Sequence, residues 1–288
     1  MLIQSIVTGI LLGGLYAIVG LGMSIVFGIM KLTNIAHGNL MMMAAFIIMV
    51  LTTSYIPNVI LALIITIVIM VGVGFLFQTT LVNKVIDKGD EPALLVTFGL
   101  SIVIQNILDV IFGADARSIK TPFATVNVID TELVSISGAY LTNFIVAVVV
   151  ILVLSAIIKN TYLGRAIRAT SDNKKAAELM GVNTKKFFAI TMAIAMATAA
   201  IAGLLVGNTF VFYPHSGTTY LIIAFGVVVI GGMGSIGGTL IGGICFGLAQ
   251  LLGSYFFGTG FQLLTGYVFM LVVLATRPNG LFAKAARK

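Results

Sequence analysis

Only 9% of the 288 residues are Asp, Glu, Lys or Arg, 59% are hydrophobic, and the mean hydropathy is +1.16. A soluble domain has about a quarter of its residues charged, so that class is excluded. The formal net charge of +7 invites nucleic acid as a partner, but seven of the sixteen Lys and Arg residues lie in 159–186, and Arg277, Lys284, Arg287 and Lys288 lie in the tail. Those are the positions where the positive-inside rule places basic residues on cytoplasmic segments, and only Tyr162 interleaves an aromatic ring with them.

In chain order, residues 1–30 carry no charge and predict one long crossing or two short ones. MLIQSIVTGILLGG has no positive n-region and no cleavage motif, so it reads as a first span that is retained. Residues 32–78 predict two more crossings that turn near TTSYIPN. NKVIDKGDEP then forms a short cytoplasmic loop, with Pro92 at the start of the helix over 92–112. The stretch 113–137, with two basic and three acidic residues, suits an external loop, and 141–158 returns the chain to the charged loop 159–186. Residues 187–276 contain no charge over 90 residues and predict four crossings, near 187–207, 219–233, 236–252 and 261–276. The fold class is therefore all-α: one polytopic membrane domain over 1–288 with about eight or nine transmembrane helices. A β-barrel is excluded because runs such as IVAVVVILVLSAII show no period-two alternation.

The motifs narrow the chemistry. Gly232, Gly234 and Gly237 spell G-x-G-x-x-G, yet no acid follows to bind a ribose and no soluble βαβ unit surrounds them. Glycines 234, 238 and 242, and likewise 243 and 247, are spaced by four. That spacing predicts small faces for close helix packing, and the break at Gly232–Gly238 is a candidate hinge or pathway element. No G-x-x-x-x-G-K-S/T occurs, so any ATP-driven work needs another subunit. NIAHGN places Asn34, His37, Gly38 and Asn39 in or near the membrane, either as a helix break satisfied by backbone carbonyls or as a substrate contact. Asp109 and Gln250 are further polar residues within spans, and Cys245 is a lone packing residue. Two histidines without clustered carboxylates support neither a metal site nor an acid–base pair, and no cofactor is expected.

Within the charged loop, residues 172–180 predict a short helix capped by Ser171 or Asp172 and ended by Gly181 in the left-handed conformation. Lys174 and Glu178 are an i,i+4 pair, Thr184 is placed to cap the next span, and Ala176, Ala177, Leu179 and Met180 form an apolar face without a membrane to bury it. Such a face suits docking into a groove on a partner.

The segments GLGMSIVFGIMKLTNIAHGNL, TYLGRAIRATSDNKKAAELMGVNTKKF, GGMGSIGGTLIGG and RPNGLF resemble those of permeases of ABC importers for branched-chain and hydrophobic amino acids, the LivH type. The resemblance covers nearly the whole chain. It implies a non-enzymatic transport subunit in a bacterial or archaeal plasma membrane. It also implies two cytosolic ATP-binding subunits, a second related permease and an extracytoplasmic solute-binding protein as partners. Through it, Gly164, Arg165, Arg168, Ala169, Ala176, Ala177, Gly181 and Val182 become ATPase-coupling positions, joined by Asp172 and Leu179 of the short helix. Asn39, Gly237 and Gln250 depart from the Glu, Pro and Glu common in that family. The alternative is a stand-alone secondary transporter or channel for a small polar solute, whose expected intramembrane ion-coupling group is missing from 187–276.

Overall fold

A computed structural model describes residues 1–121, 127–131, 134–277 and 280–282. Eight helices are long and apolar enough to cross a membrane: Leu2–Met30, His37–Tyr55, Val59–Lys88, Glu91–Phe112, Gly138–Asn160, Thr184–Thr209, Ile236–Phe257 and Thr259–Thr276. These contain α1 (Leu2–Met30), α2 (His37–Val50, continued by a π turn Leu51–Tyr55), α3 (Val59–Phe77), the one-turn α4 (Asn83–Val85) and α5 (Asp90–Phe112). A two-stranded antiparallel hairpin, β1 (Asn127–Asp130) with β2 (Ser135–Ser137), follows, a strand pairing the all-α reading did not anticipate. Then come α6 (Gly138–Asn160), α7 (Tyr162–Asp172), α8 (Lys174–Leu179), α9 (Thr184–Thr209), α10 (Ser216–Gly231), α11 (Ile236–Phe257) and α12 (Gln262–Thr276).

The short helix α10 has 16 residues, about 24 Å at 1.5 Å per residue, less than the ~30 Å hydrocarbon core. The non-helical residues 210–215 supply the remaining reach. Their backbone is satisfied where Phe212 exchanges both bonds with Arg117, at 2.8 and 2.9 Å, as irregular backbone at membrane depth requires. Counting α10, the chain makes nine passes among the described residues, the upper of the two expected values.

Helices α1 and α9 form the centre of the bundle, and their buried faces are rich in small residues. Lipid is as apolar as leucine, so helices associate through close packing rather than through exclusion of water. The contact of α1 with α11 shows this directly. A Cβ on Gly13 would sit 2.4 Å from Ile244 Cα, and one on Gly243 would sit 2.4 Å from the Gly13 carbonyl. Only glycine lets these two backbones meet. Gly243 and Gly247 face α1, whereas Gly238 and Gly242 face α10, so the four-residue spacing marks two faces of α11. Gly234 does not belong to either; it lies in the turn before α11 with φ +81°.

Ser171 Oγ donates to the Gly28 carbonyl at 2.7 Å, which places the C-terminal end of α1 at the charged loop. The N-terminal end of α1 is therefore at the opposite end, where Gln4 holds the hairpin through two bonds with the Ser135 backbone, at 2.7 and 2.9 Å. The N-terminus therefore lies at the end of the bundle opposite the basic loop, the end that the positive-inside rule assigns to the external side.

Candidate functional site

Two constellations stand out, one in the charged loop and one at mid-membrane. The loop begins with a sharp reversal after α6. Thr161 caps α7 by accepting from Gly164 N at 3.1 Å. A Cβ on Gly164 would fall 2.1 Å from the Ile158 carbonyl, so α7 can fold back on α6 only through glycine. Arg168 donates to the carbonyls of Ile158 and Lys159, and Arg165 to that of Asn160 at 3.3 Å. Both guanidinium groups thus cap the C-terminus of α6, where the helix dipole favours cations. Ala169 is half-buried behind them, and Asp172 closes α7 exposed to water.

The expected helix over 172–180 is interrupted. Ser171 is committed to Gly28, Asn173 adopts an extended conformation, and its side chain accepts from Ala176 N at 3.0 Å. Asn173, rather than Ser171 or Asp172, is therefore the cap of α8. Asn173→Ala is expected to cost about 1 kcal/mol of α8 stability, read as faster amide exchange at Ala176–Leu179. The C-terminal expectation holds: Gly181 has φ +82°, Gly181 N donates to Glu178 O, and Val182 N donates to Ala177 O, each at 3.0 Å. This pair of bonds is a Schellman closure. Thr184 does not cap α9. Asn183 does, accepting from Lys186 N at 3.0 Å, while Thr184 Oγ1 donates to Glu178.

The apolar face is also redistributed. Ala177 is buried, Ala176 is exposed, and Leu179 and Met180 project with relative exposures of 90% and 74%. Lys174 does not pair with Glu178. It bonds to Asp87 in the loop between α3 and α5, and Lys185 reaches the other oxygen of the same carboxylate at 3.7 Å. Asn83 Nδ2 donates to the Lys185 carbonyl at 3.2 Å, and buried Gln78 donates to Asn83 at 3.0 Å. Asp87 therefore ties α8 and the start of α9 to the end of α3.

The mid-membrane constellation arises where α1 ends at Lys31, whose φ of +53° turns the chain back. Residues 32–36 return non-helically into the bundle, and Asn34 Oδ1 accepts from Ala36 N at 3.0 Å to satisfy the broken stretch. His37 Nε2 meets the Val19 carbonyl at 3.0 Å; a carbonyl only accepts, so Nε2 carries the proton. Asn39 Nδ2 donates to the Ser101 carbonyl at 2.9 Å and hydroxyl at 2.7 Å. Val19 and Ser101 lie near the middles of α1 and α5, so α2 starts at mid-membrane. The first turn of α10 abuts it, Gly38 against Gly217. At NIAHGN the structure shows a helix break with His37 held on a backbone carbonyl. Asn39 Oδ1 and His37 Nδ1 remain unpaired among the described residues.

Between these centres lies the glycine turn. Gly232 and Gly234 have φ of +91° and +81°, Ser235 caps α11 by accepting from Gly238 N at 3.1 Å, and Gly237 faces open space. Gly234 packs on Gly28, the residue whose carbonyl Ser171 holds. Leu281 N donates to the Ile230 carbonyl at 2.9 Å, which sets residues 280–282 against the same turn.

The family model described as branched-chain amino acid transport system / permease component matches residues 5–276. The chain belongs to that family. It is 30% identical to the high-affinity branched-chain amino acid transport system permease protein LivH of Salmonella typhimurium over 295 residues, 98% of this chain and 96% of that protein. It is 28% identical to BraD of Pseudomonas aeruginosa over 294 residues, again 98% and 96%. It is 24% identical to the probable LivH of Methanocaldococcus jannaschii over 277 residues, 93% and 87%. No solved structure matches significantly.

In this permease, the expected loop residues are brought together, but Gly164, Arg165 and Arg168 point at α6. Asn34, His37, Gly38 and Asn39 form one centre, and Gly232, Gly234 and Gly238 another. Sequence reasoning missed Asp87, Ser171 as a tether, Ser101, and the Gly28 and Gly217 contacts. Each acts through a partner 60 or more residues away, and no local pattern marks that.

Proposed function

We propose that this chain is the membrane-embedded subunit of an ATP-binding-cassette importer for branched-chain and other hydrophobic amino acids. It works with two cytosolic ATPases, a second related permease and an extracytoplasmic binding protein, in a bacterial or archaeal plasma membrane. It performs no covalent chemistry itself. The observation that carries this reading is the Leu179–Met180 projection on a Schellman-closed helix, two large apolar side chains held in water at the charged end. Exposed apolar knobs on a short helix are suited to a groove on a partner. The loop behind them is tied to α1 by Ser171, to α3 by Asp87 and to α6 by the two arginines, so a push on α8 reaches three spans. Family membership and the relatives' names supply the substrate class.

The test is the double variant Leu179→Asp with Met180→Asp, co-expressed with its ATPases and purified in mild detergent. The permease is expected to remain monodisperse and to lose its ATPase subunits. Stoichiometric ATPase retention together with undiminished uptake would falsify the docking role.

A further inference from the structure

A cleft of about 330 Å³ lies between α1, the segment 210–215, the first turns of α10 and the start of α12, in the external half of the bundle. Its polar lining comes from Tyr16, Ser216, Thr219, Tyr220 and Gln262, its apolar lining includes Phe210, Ile223 and Leu263, and no acidic or basic side chain enters it. Two larger surface hollows, of about 550 and 400 Å³, are walled almost wholly by aliphatic and aromatic side chains.

The polar groups have defined senses. Tyr16, itself buried, gives its hydroxyl proton to Gln250 Oε1 at 2.7 Å, so its oxygen is left as an acceptor. Gln250 is fully buried behind it, and its Nε2 has no partner among the described residues. At the other side of the cleft, Ser216 Oγ already accepts from Tyr213 N at 3.0 Å, so its hydroxyl proton is free to donate. The preceding residue, His215, gives α10 no side-chain cap, so the positive end of the helix dipole is unscreened there.

The geometry points to a binding site for a zwitterionic α-amino acid with an aliphatic side chain. The carboxylate takes the donor side formed by α10, Ser216 and Thr219; the ammonium takes the Tyr16 oxygen; the side chain lies on Ile223 and Leu263. The volume admits one leucine-sized molecule and is at the lower end of small-ligand pockets. A third charge, as on lysine or glutamate, has no counter-ion in the cleft and carries its full desolvation cost. Neutral dipoles in place of fixed charges suit a transit site, which must bind weakly enough to release. This assignment rests on the proposed function and locates its substrate.

Cys245 is the single cysteine of this chain, so Cys245→Ala with Val211→Cys, a lining position given no contact to the ligand, puts one reporter thiol in this subunit, read on the separated subunit after labelling of the complete transporter in liposomes. Its labelling by a membrane-impermeant maleimide is measured with and without L-leucine, without the binding protein. Leucine at about four times its Kd is expected to slow labelling about fivefold, as for a simple competitor, and L-lysine is expected to leave it unchanged. Adding Tyr16→Phe is expected to raise the half-protecting leucine concentration about threefold or more, the loss of one hydrogen bond. Liposomes that take up leucine but show no protection, or a cysteine that never labels, overturn the site. Liposomes with assembled ATPases that carry no amino acid at all overturn the underlying reading instead.

Discussion

Replacing Gly38 by alanine is expected to remove most folded permease from the membrane. A Cβ at this position would lie 2.0 Å from the Gly217 carbonyl oxygen and 2.9 Å from its carbon, both backbone atoms. The reverse contact is as tight, since a Cβ on Gly217 would lie 1.8 Å from Asn39 Oδ1. Neither helix can yield without disturbing the bonds of His37 to Val19 and Asn39 to Ser101, which hold the broken segment at mid-membrane. Overpacking by one methyl costs about 1–3 kcal/mol where side chains can adjust, so a backbone clash belongs at about 3 kcal/mol or above. Against a total stability of about 5–15 kcal/mol that is a large loss. Fluorescence-detected size exclusion of a tagged protein, with melting in detergent, measures it. Gly72→Ala and Gly99→Ala, where an added Cβ meets nothing within 4 Å, are the matched controls and are expected to leave the protein intact. A Gly38→Ala variant that melts like these controls refutes the close crossing of α2 and α10.

Charge reversal at Asp87 is expected to do the opposite: leave the fold intact and break coupling. Asp87→Lys would set a third ammonium between Lys174 and Lys185. Surface ion pairs contribute about 0–1 kcal/mol each, so melting should shift little. The position of α8, however, depends on few other ties: Ser171 to Gly28, Glu178 to Thr184, and Asn83 to the Lys185 carbonyl. With the α3 tie gone, leucine transported per ATP hydrolysed is expected to fall about tenfold, a coupling change of about 1.4 kcal/mol. Pairing Asp87→Lys with Lys174→Asp should recover much of that ratio, which a general folding defect would not do. An unchanged ratio in the single variant removes Asp87 from the coupling path.

Part of this molecule was legible in its residues. Charge-free runs located each crossing because a bilayer sorts residues by transfer energy alone. The closing of α8 at Gly181 was legible too, because a left-handed residue after a helix is a local demand that glycine answers. The start of α8 was not. Ser171, Asp172 and Asn173 are all good caps, and the choice fell to Asn173 because a carbonyl at Gly28 claims Ser171. Lys174 with Glu178 satisfied the i,i+4 rule yet did not pair, because Asp87 offers a carboxylate already shared with Lys185.

Sequence by itself determined that the chain is a multi-span α-helical membrane protein, where its one large charged loop lies, and that it has no P-loop of its own. It left open the side of the N-terminus and whether residues 1–30 cross once or twice. Tertiary structure made residues 2–30 one continuous helix, α1, and set its C-terminal end against the basic loop through Ser171 on Gly28, so the N-terminus lies at the opposite end. Hydropathy reports how deep a segment prefers to sit. Direction, breaks at mid-membrane and the facing of Arg165 and Arg168 toward α6 depend on which backbone carbonyls are left unsatisfied nearby, and only the packed neighbours determine that.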